Sequence, residues 1–314
     1  MNLLEVFGSW LAPRAAPDAA LGVALARAVE TVDPLLGAVS GWERRLAPAV
    51  GRALGHCERL AAAVPGPITV DAAAFAADPV VHSLFATADD IGVMLGRSRE
   101  LREVLADPAH VAAEEFHALL GLRRREKAVS GVALEGGVLR QDVPQRLLYF
   151  ADHTLGEIAA DPESTRHRLR LAVFDSVARS FAAWVAELRR QRLDAGTALQ
   201  LERARNGRTE RRLELEERHR QAIASLAPER LLDAYADWLA AAETRVFLKP
   251  GEVTVDRMGV IKDAPDDERD TTLQLPELIG RDRRQWTLLL VRIRREDALE
   301  AVRRRDEANR YILI

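Results

Sequence analysis

From about Asp18 to Thr244 the apolar residues of this chain recur at three- and four-residue steps, and from Arg245 to Ile293 they recur at every second residue. A helix places one face every 3.6 residues and a strand every two, so the change of period marks a change of building material. The pattern predicts a mainly α chain of the α+β class: a multi-helix body with a β-hairpin near 125–151 and a small C-terminal sheet. Residues 1–243 then form a helical domain with the hairpin inserted and a charged helical projection near 189–222. Residues 244–314 form a small β-rich subdomain ending in a helix, and it shares one sheet with the hairpin if the hairpin is to find the support a lone two-stranded piece lacks.

Local punctuation places the elements. A short helix is expected over Leu3–Leu11, and a second after Pro17-Asp18. The stripe Leu35, Leu36, Val39, Trp42, Leu46, Val50, Leu54, Cys57 and Leu60 reads as one helix face from Asp33 to Val64, bent at Pro48. Asp71 and Thr87 stand as N-caps, the latter opening one helix through Leu105. Between Lys127 and Phe150, β-branched residues flank Gly136-Gly137, the signature of a tight turn, and Pro144 forces the second arm to an edge or a bulge. Asp161-Pro162-Glu163 begins a strong helix. Arg189–Arg220 holds ten arginines and six acids, with Asn206-Gly207 as its tip. Short β-type runs follow at Val246–Leu248, Val253–Val255, Thr271–Leu275 and Trp286–Ile293, then a polar helix over Arg295–Asn309.

Charge and cysteine content narrow the class. Forty-five basic residues against 48 acidic ones give a net charge of −3, so attraction to nucleic acid or an anionic membrane would need a local patch. The single cysteine, Cys57, lies in an apolar helical pattern, where it reads as a small buried hydrophobe. The N-terminal apolar run is short and carries Glu5 where a signal peptide carries basic residues, and a cytoplasmic protein is expected.

Phosphate-cradling glycine loops and the nucleophile elbow of serine hydrolases are absent. The seven histidines are scattered; on a helix, His110 and His117 would stand about 10 Å apart, too far to share an ion. No metal and no cofactor are expected. Asp152-His153 is the best local pair of titratable groups and the candidate catalytic site, although neighbours in sequence point apart on regular backbone.

The function expected from these residues is a non-enzymatic cytoplasmic interaction protein, a scaffold, adaptor or accessory subunit that binds a protein partner or itself. Its partner-binding residues are the apolar tail Tyr311, Ile312, Leu313 and Ile314. The alternative is a nucleic-acid-associated protein using Arg203, Arg205, Arg208, Arg211 and Arg212 around the helical tip, although the interleaved acids there favour ion pairing within the helices. A second alternative is an enzyme with its site near Asp152 and His153.

Overall fold

A computed structural model describes residues 17–135, 138–205, 209–263, 270–280 and 285–312. In chain order they form α1 (Pro17–Val32), α2 (Trp42–Ala63), β1 (Ile68–Thr69), α3 (Ala72–Ala77), α4 (Pro79–Leu84), α5 (Ala88–Arg97), α6 (Arg99–Ala106), β2 (Glu115–Glu135) and β3 (Val138–Ala159). There follow α7 (Pro162–Ala204), α8 (Thr209–Ser225), α9 (Pro228–Ala240), β4 (Phe247–Lys249), β5 (Glu252–Val255), β6 (Ile261–Lys262), β7 (Thr271–Gln274), β8 (Glu277–Ile279), β9 (Gln285–Arg294) and α10 (Arg295–Ile312). The fold is mixed α+β. The helix expected over Leu3–Leu11 and the tip at Asn206-Gly207 lie outside the described residues.

The described residues divide into two compact units, the first running to Cys57 and resuming over Val173–Arg245, the second comprising Glu58–Ala172 and Val246–Ile314. The first unit is helical. Ala28, Val50, Ala53, Val177, Phe181, Leu232, Tyr235 and Leu239 are buried in its core. Phe181 stacks on Tyr235 with centroids 4.6 Å apart and meets Trp184 and Trp238 at 5.2 and 5.4 Å. The polar ends of these rings are matched: the Tyr235 hydroxyl donates to the Ala28 carbonyl and the Trp238 indole N–H to the Ser180 hydroxyl. Arg27 forks onto the buried Asp175, and Arg189 pairs with Asp33.

The second unit is built on a six-stranded sheet of order β3-β2-β9-β8-β4, with β1 parallel to the far end of β9. β9 is the central strand: β2 pairs along one side from Leu122↔Thr287 to Glu115↔Arg294, and β8 and β1 share the other. A three-stranded sheet, β6-β5-β7, packs its Val253, Val255 and Leu273 into the same core as Leu122, Leu148 and Phe150. Gly66 lets the chain pass over β9, since a Cβ there would sit 2.1 Å from the Leu290 carbonyl oxygen.

Three sequence expectations change. The stripe from Asp33 to Val64 is interrupted: a short 3-10 turn over Pro34–Ala38 and Gly41 at φ +70° precede α2, and the two pieces still bury Leu36, Val39, Leu46, Val50, Cys57 and Leu60 while Leu35 is left exposed. The Thr87 capping box forms, but its helix ends at Arg97, where the Ser98 hydroxyl accepts from Leu101 N and starts α6. The hairpin begins at Glu115, ten residues before the expected position, and its second arm runs to Ala159. His110 and His117 therefore occupy a 3-10 turn and a strand, not one helix face.

Candidate functional site

β2 and β3 pair from His117↔Ala159 out to Glu135↔Val138. The pairing with β9 stops at Leu122. A bridge between Leu147 and Val260, with Leu148 N donating to the Gly259 carbonyl, gives β3 one more neighbour. Past Lys127↔Leu147 the hairpin is a two-stranded ribbon among the described residues, and from Leu122 to its end β2 extends roughly 40 Å at 3.3 Å per residue.

The sequence Arg123-Arg124-Arg125-Glu126-Lys127 sits where this ribbon leaves the sheet. Successive side chains on a strand point to opposite faces. The even face continues the core through Leu122, Leu148 and Phe150, and its carboxylate is shared between two arginines: Glu126 accepts from Arg124 at 2.8 Å and Arg146 at 3.3 Å. The odd face collects Arg123, Arg125 and Lys127. Opposite Arg125 stands Tyr149, 45% exposed, and the Arg123 guanidinium lies 5.9 Å from the Trp286 ring centroid. Arg123 also reaches Asp152 at 3.4 Å, whereas Arg125 and Lys127 are exposed and have no ion-pair partner among the described residues. Next outward on the odd face come the uncharged Val129 and Gly131. Gln145 lies across Gly131, where a Cβ would meet its amide at 1.9 Å, and donates to the Val132 carbonyl.

Three residues of β3 have positive φ: Asp142 (59°), Asp152 (55°) and Glu157 (55°). Each falls where β3 takes one residue more than β2, between Gly131/Ala133, Gly121/Arg123 and His117/Leu119, so each is a β-bulge. The bulge at Asp152 decides the fate of the candidate catalytic pair. Asp152 turns to Arg123, while the His153 Nε2 lies 2.7 Å from the Leu84 carbonyl oxygen and its ring stacks on Phe85 at 4.7 Å. The two side chains diverge, and His153 pins the hairpin to the end of α4.

Around the helical tip, Arg203 donates to Glu216 at 2.8 Å, Arg212 lies 4.0 Å from the same carboxylate, and Arg211 lies 3.9 Å from Glu202. Arg205 is exposed in the turn after α7, and Arg208 lies outside the described residues. The Glu216 carboxyl is held below its ordinary range, first by the hydrogen bond from Arg203. Of the tail, Tyr311 and Ile312 continue the backbone of α10, while Leu313 and Ile314 lie outside the described residues.

Two other groupings were legible only in three dimensions. His117 is buried on the odd face beside its cross-strand partner Arg292, which reaches the Thr69 hydroxyl at 2.7 Å and Glu115 at 3.7 Å; the His117 Nε2 is 3.9 Å from Glu115. In the helical unit, Asp33, Leu35, Arg189, Arg192, Leu226 and Leu231 line an open hollow of about 190 Å³, in which Asp33 already accepts from Leu35 N and Arg189. No group of three His, Cys, Asp or Glu among the described residues is placed to hold a metal ion. No helix among them is long and apolar enough to cross a membrane. Compared with known proteins, the chain matches no family model, no curated protein and no solved structure.

Sequence reasoning missed the odd face of the ribbon. The signal was present: with the strand extended back to Glu115, alternation sorts the five-residue run into three cations on one face and an arginine–glutamate pair on the other.

Proposed function

We propose that the chain is a non-enzymatic interaction protein, an adaptor or accessory subunit of a cytoplasmic complex, and that its working surface is the outer part of the β2–β3 hairpin. The observation that carries this reading is a ribbon that leaves its sheet and continues, two strands wide, with Val132, Leu139 and Tyr149 exposed. Isolated two-stranded hairpins are marginal in water, so such an extension gains most of its order from a partner. The engagement of Asp152 by Arg123 and of His153 by Leu84 supports a binding role over a catalytic one at that position.

Photo-crosslinking in the native host tests the proposal. A photoreactive residue at Val129 on the ribbon is expected to give a discrete adduct, whereas one at Gln221 on α8 is expected to give none. Adducts from Gln221 alone would contradict the assignment.

A further inference from the structure

We infer that the odd face of the ribbon binds single-stranded nucleic acid; this rests on the reading that the ribbon is the working surface, and it names the partner class. Arg123, Arg125 and Lys127 form one file, each about 7 Å from the next along β2. Tyr149 and Trp286 border that file, at Arg125 and beside Arg123 respectively. Between Val143 and Ala151, the stretch of β3 that faces these cations contains no acid, and the nearest carboxylate to the file is Asp152 on Arg123. A single row of cations tracks one phosphate backbone, and an exposed ring at its side takes the face of an unstacked base. A duplex keeps its base faces stacked and would leave Tyr149 idle, while an acidic peptide would use the cations and not the ring. The net charge of −3 does not oppose this, because Glu126, the acid within the Arg123–Lys127 run, is taken up by Arg124 and Arg146 on the even face and leaves the odd face locally positive.

The test is fluorescence anisotropy of the full chain with labelled U20 and dT20, a 20-base-pair duplex and a poly-glutamate peptide, each over a range of salt. Binding to the single strands is expected to have a log–log salt slope near −2, about −0.7 for each of three cations. The double variant Arg125→Gln/Lys127→Gln is expected to flatten that slope by about 1.4. Tyr149→Ser is expected to weaken binding about ten-fold at unchanged slope, and Tyr149→Phe to restore it. Replacing Arg203, Arg205, Arg211 and Arg212 by Gln is expected to leave binding intact. Preference for the duplex or the peptide, or binding that survives the ribbon double variant, overturns the inference. Failure of every oligonucleotide to bind while Val129 still cross-links to a protein overturns the inference alone; absence of both signals removes the ribbon reading with it.

Discussion

At the scale of single residues, the immediate surroundings decide how a side chain behaves. His167, near the start of α7, is exposed, yet partial desolvation first and the nearby Arg170 second hold its imidazole below the ordinary value of 6.5. The folded state therefore prefers the neutral ring. Stability from this group is present above pH 6.5 and is lost as pH falls through the depressed folded value. His167→Gln should flatten the fall in thermal midpoint between pH 7 and pH 5; an unchanged pH profile would show that other groups carry it. Phe181 is fully buried and touches three aromatic rings, so Phe181→Ala should cost about 3–5 kcal/mol by denaturant titration. Both roles were only half visible in the sequence. Phe181 stood on a clear apolar stripe, but His167 was one of seven scattered histidines, and nothing local announced the surroundings that shift it.

At the scale of elements, caps and turns were the most readable features and strand extents the least. Asp71, Thr87 and Asp161 each accept the backbone N–H that their positions imply, since a cap needs only its own few residues. The first third of β2 was unreadable for the opposite reason. Phe116, Ala118, Leu120 and Leu122 face one core, while Leu290 of the neighbouring strand is buried on the other face, so β2 is covered on both sides where it pairs β9 and its alternation is blurred. The bulges follow from tertiary context, because acids at positive φ have no sequence signal comparable to Asn-Gly. Asp152→Val should destabilise by about 1–2 kcal/mol through its left-handed backbone, and Asp152→Gly should be close to neutral. Helix contact is equally specific at Gly96, where a Cβ would lie 2.6 Å from the Ala301 carbonyl oxygen in α10. Gly96→Ala should cost about 1–3 kcal/mol, seen as a lower midpoint in urea.

At the scale of the whole molecule, the second unit explains why residues from distant parts of the sequence are needed together: β1, β2 and β9 hydrogen-bond in one sheet although Ile68 and Val291 are far apart along the chain. The periodicity named the strands near both ends of that sheet, and only the pairing of β2 with β9 showed where the hairpin stops being sheet and becomes ribbon. That division is the core of the functional proposal, because it separates the part of the hairpin that holds the unit together from the part free to bind. The most direct measurement uses a variant that carries Arg125→Gln and Lys127→Gln and in which residues 129–145 are replaced by an Asn-Gly turn, joining the cross-strand pair Ala128 and Arg146 and keeping the Leu147–Val260 bridge. Its urea midpoint and its complex on a native gel of host extract are read side by side. The account predicts an unfolding free energy within about 1 kcal/mol of the parent's and loss of the complex. A variant that fails to fold, or one that folds and still assembles, would contradict it.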